Sequence, residues 1–99
     1  MDSRIEEIQS KAKAERAEVS ALDGQLSDAG LRQLLKQATF WLDDAEGLLI
    51  RYALKATTPA NVAMWINQAE VTFQMAVQRR KFIQQVLATY GPNAVSIGA

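Results

Sequence analysis

Residues 31–56, LRQLLKQATFWLDDAEGLLIRYALKA, and residues 59–90, PANVAMWINQAEVTFQMAVQRRKFIQQVLATY, carry one pattern on either side of Thr57-Thr58. In the first segment Leu34-Leu35, Trp41-Leu42 and Leu48-Leu49 recur every seven residues, with Leu31, Ala38, Ala45 and Tyr52 between the pairs. In the second the pairs are Trp65-Ile66, Thr72-Phe73 and Val86-Leu87. The single positions there are Val62, Ala69, Ala76, Ile83 and Tyr90, and Arg79-Arg80 stands where an apolar pair is expected. Apolar residues at this spacing share one face of an α-helix. Thr58 is placed to cap the second segment, with Pro59 at the first helical position, where a missing amide leaves nothing unsatisfied. A connection this short joins only antiparallel neighbours. The pattern predicts a helix over 28–56 and another over 59–89, roughly 43 and 46 Å long at the usual helical rise. With the turn near Thr57-Thr58, Ala38 and Ala45 face Ala69 and Ala76, and such small residues let two helices approach toward the short end of the usual range of about 8–10 Å.

The doubled apolar positions are wider than a two-helix seam, so the hairpin calls for a third helix. Residues 1–26 supply it. Ile5, Ile8, Ala12, Glu15, Val19, Leu22 and Leu26 follow alternating spacings of three and four, the narrow seam of a coiled coil. Ser3-Arg4-Ile5-Glu6 fits a capping box at the start. Asp23-Gly24 fits a stop, with the glycine in a left-handed conformation. Ser27 is the expected cap of the next helix, with Leu26 packed over Leu31. With the chain running up, down and up, Glu15 arrives level with Arg79 and Arg80, where the apolar stripe is interrupted. We therefore expect Glu15 to pair with one of these arginines and to fix the register, because a shifted helix would bury a lone charge.

Composition limits the chemistry. The chain has 99 residues, eleven basic and eleven acidic, and neither cysteine nor histidine. A disulfide framework, a thiolate site, the usual general base and the commonest metal ligand are all missing. Asp43, Asp44 and Glu46 are the densest carboxylates, with Glu70 near them across the hairpin, but a carboxylate metal site in a bundle normally includes a Glu-x-x-His element. The expected reading is a solvated face, with no catalytic residue, metal or cofactor. Arg32, Lys36 and Arg79-Arg80-Lys81 form a basic end without interleaved aromatics in a chain of balanced charge, which argues against nucleic acid. The glycines are scattered and form no phosphate-binding loop, and no small-molecule substrate is expected. No run approaches the length of a membrane span and residues 1–7 hold no apolar run, so neither a span nor an export leader is expected. Trp41-Leu42-Asp43 and Trp65-Ile66-Asn67 lie mid-helix and do not match the Trp-x-Gly turn of small secreted helical hairpins, so no family is assigned.

These readings predict an all-α fold: one domain over 1–90, with a long antiparallel helical hairpin, a shorter N-terminal amphipathic helix over about 3–23, and a flexible tail over 91–99. A second apolar line, Phe40, Gly47 and Leu54 on one arm and Met64, Val71, Met75 and Phe82 on the other, exceeds what three helices can bury. Exposed apolar strips mark partners, and methionine suits an adaptable contact. The expected function is non-enzymatic: a protein-interaction subunit packing helical faces in a homo-oligomer or larger assembly, structural or adaptor in role, as in a virion or secretion apparatus. The alternative is a small helical chaperone or regulator that holds one partner helix reversibly. Expected contact residues are Ile5, Ile8, Phe40, Leu54, Met64, Val71, Met75, Phe82 and the tail. The expected location is the cytoplasm, or a particle assembled from it.

Overall fold

The computed structural model describes residues 2–91. Among them the chain forms three α-helices and no strand: α1 (Ser3–Asp23), α2 (Ala29–Leu48) and α3 (Pro59–Tyr90), with α2 running on into one π-helical turn over Leu49–Ala53. α2 and α3 make the antiparallel hairpin, and α1 folds back along it. The body measures 53 × 19 × 17 Å. Its long dimension is set by the 32 residues of α3, which span roughly 48 Å.

The centre of the hairpin is a line of small side chains. Ala38, Ala45, Ala69 and Ala76 have no solvent exposure, so α2 and α3 meet with little between their backbones. Larger residues stack beside that line in two buried clusters. One joins Ala12, Val19, Leu22 and Leu26 to Leu31, Leu35, Leu42, Phe73 and Ile83. The other, at the hairpin tip, joins Ile5 and Ile8 to Leu49, Ala53, Ile66 and Ala69. Every expected seam position of α1, Glu15 included, is buried.

The helix ends correct the sequence reading in several places. α1 is capped by Asp2, whose carboxylate accepts from the Arg4 amide at 2.9 Å, and Ser3 is already helical. α2 is capped by Asp28, which accepts from the Leu31 amide at 2.8 Å, while Ser27 lies outside. At each start an aspartate and a serine are adjacent, and the helix begins at the aspartate three residues before the first buried apolar side chain, Ile5 or Leu31. Gly30 leaves room for this cap, since a Cβ there would stand 3.0 Å from the Asp28 carboxylate. Gly24 is right-handed (φ −64°, ψ −17°) rather than left-handed. The chain leaves α1 through tight right-handed turns, Gln25 to Leu22 and Leu26 to Asp23, which carry Leu26 back into the core. Thr58 and Pro59 start α3 as expected, and Gly91, at φ 82°, ends it.

The second helix does not continue in α geometry to Ala56. The Leu54 amide bonds to the Leu49 carbonyl at 2.9 Å, five residues back. This wider turn keeps both Leu49 and Ala53 in the core, and Tyr52 stacks on Trp65 with ring centres 4.5 Å apart. The expectation for the tail falls largely on residues 92–99, which lie outside the described residues.

Arg4 also binds the Asp2 carboxylate through its guanidinium, and these bonds hold that carboxyl below its ordinary range. A carboxyl lowered in the folded state stabilises above its unfolded value and loses that effect as pH falls through the folded one, so the start of α1 should fray in acid. Asp28→Ala should lower stability by about 1 kcal/mol in chemical denaturation at neutral pH. Ser3→Ala and Ser27→Ala should each stay within about 0.5 kcal/mol of the parent.

Candidate functional site

The apolar pairs of the hairpin are divided between two grooves. Successive helical residues are about 100° apart, so the two members of a pair point to opposite sides of the alanine line. The second members, Leu35, Leu42, Leu49, Ile66 and Phe73, are buried on the side that α1 occupies. Of the first members, Leu34, Trp41, Leu48, Trp65 and Val86 are only half-buried, with Trp65 under the Tyr52 ring, while Thr72 is buried.

Charge completes the covered groove. Glu15, 6% exposed, accepts from the Arg80 guanidinium through both Nε and Nη2, the latter at 2.9 Å, and the Arg80 Nη1 reaches Gln84 at 2.9 Å. Hydrogen bonding to Glu15 pushes the Arg80 guanidinium to still higher pKa, against the effect of burial. Arg16 bridges to Glu46 at 3.1 Å and Asp43 at 2.7 Å, clipping α1 to α2. The acidic cluster is thereby partly consumed as a structural clip. Among the described residues no group of three or more His, Cys, Asp or Glu side chains converges as for a metal ion.

The uncovered groove is the candidate site. Trp41, Met75, Gln78, Arg79 and Phe82 surround a depression of about 300 Å³ on it. Arg79 lies over the Trp41 ring, 5.5 Å from its centre, and makes no ion pair with a described carboxylate. Met75 and Phe82 are 41% and 50% exposed beside it, and Met64 and Val71 continue the exposed line along α3. Phe40 and Leu54 are also exposed; Phe40 precedes Trp41 as Met64 precedes Trp65 and Val71 precedes Thr72, so all three are turned about 100° further round their helices, onto the outer flank of the groove. Ile5 and Ile8 are corrected: both are buried at the hairpin tip by Leu49, Ala53, Ile66 and Ala69, and neither can meet a partner without unpacking α1.

Two larger depressions lie elsewhere. One, of about 440 Å³, surrounds the tip between Asp2, Arg4, Leu54 and Pro59. Another, of about 340 Å³, lies between α1 and α2 beside Arg16, Asp23 and Lys36. Neither gathers exposed aromatic surface. Leu34, Trp41, Leu48 and Trp65 are not among the contact residues expected from the sequence. The doubling of each apolar position was the available signal, since one buried seam requires only one member of each pair. No helix among the described residues is long and apolar enough to cross a membrane.

The ion pair divides unequally between its partners. Arg80→Ala should orphan a buried carboxylate and cost about 3–5 kcal/mol. Glu15→Leu should leave a folded monomer of similar or higher stability, because Arg80 still reaches Gln84 and solvent; thermal and denaturant unfolding of both variants checks this. Comparison of the chain with protein-family models, with curated proteins and with solved structures returned no match.

Proposed function

We propose that this chain is a protein-interaction subunit, structural or adaptor in role, which works by packing the open groove of its hairpin against a helix of another molecule. One observation carries the reading: the hairpin has two apolar grooves and α1 fills one of them. A groove between antiparallel helices receives an amphipathic helix laid along it, anchored by side chains three and four apart. The exposed aromatic and methionine side chains offer large contact areas, and methionine adapts its shape to what it meets. On this reading the chain is not an enzyme, and its carboxylates serve packing and solubility.

A reversible chaperone or regulator is the second reading. It is favoured by α1 folding back on its own hairpin, which leaves a self-contained body with one helix-wide vacancy. A homo-oligomer, a virion or a secretion apparatus remains a setting in which either form would operate.

Light scattering across a concentration series, together with binding of a hydrophobic dye, separates the two. An oligomer supports the structural subunit, whereas a dye-binding monomer supports the chaperone. Replacing Met75 and Phe82 with glutamine should abolish association or dye binding and change stability by no more than about 0.5 kcal/mol each. A monomer that binds no dye, and that these substitutions unfold, would assign both residues to the core and end the proposal.

A further inference from the structure

The geometry points to the occupant of the open groove: an amphipathic helix of another protein that repeats the chemistry of α1, with apolar residues at alternating spacings of three and four and one carboxylate in register with Arg79. This inference rests on the reading of the groove as a docking site, and adds what the partner must carry.

The argument starts from the arginine pair. Arg79-Arg80 occupies one rung of the repeat, and the roughly 100° between its members turns them toward different grooves, as in Trp41-Leu42 and Trp65-Ile66. On the covered side Arg80 meets Glu15, the one charged residue in the seam of α1. On the open side Arg79 occupies the matching place, flanked by Met75 and Phe82 and lying over Trp41. A guanidinium has five N–H donors, and none of those on Arg79 is hydrogen-bonded to a described residue. The Trp41 ring attracts the cation but offers it no carboxylate or carbonyl acceptor.

What would cover this rung follows from its charge. A wholly apolar helix would strip water from Arg79 and return nothing for it. A basic residue would add repulsion. A carboxylate would exchange the lost hydration for a charge-assisted pair, as Glu15 does on the opposite side. The length also matches: from Trp65 to Val86 the groove runs roughly 32 Å, and α1 has 21 residues.

A second copy fits less well. Its own open groove is lined by Leu34, Trp41, Leu48, Trp65 and Val86 and carries no carboxylate at Arg79, while the seam of its α1 is already buried. Beside Arg79, the depression on a second such face offers only the neutral Gln78 amide as a side-chain acceptor.

The probe is a labelled peptide of residues 2–26, which is α1 itself, together with its Glu15→Gln and Glu15→Arg versions. Each is titrated by fluorescence anisotropy against the full chain and against Arg79→Glu and Arg79→Gln chains whose folding is verified by circular dichroism. Arg80 stays intact throughout, so a peptide that merely displaced the resident α1 would be insensitive to residue 79. The expected result is that the parent chain binds the glutamate peptide about tenfold more tightly than the arginine peptide. Arg79→Glu should reverse that order, and Arg79→Gln should remove the preference.

Equal affinity for the three peptides overturns the carboxylate requirement and leaves the docking groove standing. A preference unchanged by Arg79→Glu also overturns it, assigning the binding to the α1 side. No binding of any peptide overturns both the inference and the groove. Two further results would replace the partner helix: a dimer broken by Phe82→Glu but not by Arg79→Glu makes a second copy the occupant, and binding seen only when the chain ends at Gly91 makes it the chain's own tail.

Discussion

The rest of the structure depends on the closeness of α2 and α3. Ala38, Ala45, Ala69 and Ala76 are fully buried along the contact, and alanine places almost nothing between two helices. Larger side chains beside these four must lean to one side or the other, and Leu31 and Ile83 hold the same line only beyond them, at the end away from the tip. A hairpin built this way has two apolar grooves rather than one wide face. α1 can serve only one of them, and the exposed chemistry of the protein follows from the groove it leaves.

Register along the covered groove depends on charge as much as on volume. The seam of α1 is narrow and carries small residues such as Ala12, so several sliding positions would bury similar apolar area. Glu15 removes that freedom. Placed anywhere but against Arg80, it would sit desolvated without a partner, at a cost of several kcal/mol. Arg16, reaching Asp43 and Glu46 on α2, adds a second contact from the outer edge of the same helix. Neither interaction needs to stabilise the fold greatly to select one alignment from many.

Much of the architecture was legible because it rests on spacing. The sevenfold pairs, Thr58-Pro59 and the seam of α1 are periodic or local signals, and the meeting of Glu15 with an arginine follows from counting residues along two helices of known rise. The helix caps were less legible, because Asp2-Ser3 and Ser27-Asp28 each offer two side chains able to cap, and the choice depends on where the first buried residue must fall. The π turn at Leu49–Ala53 adds only a fraction of a turn and leaves no mark in an apolar pattern. The open groove was visible only as an excess of apolar positions. Which half of each pair would be covered depends on the side from which α1 returns, and that is a tertiary choice.

α1 begins at the hairpin tip, where Asp2 and Ile5 lie beside Ala53 and Pro59. It ends at the far end, where Leu22 and Gln25 lie beside Gln84 and Leu87. It therefore runs parallel to α3, and Asp2 and Gly91 stand at opposite ends of the rod. Tension applied through these two residues would draw α1 and α3 past each other along their length. The seam contacts and the Glu15–Arg80 pair would then be loaded together in shear, rather than peeled one after another.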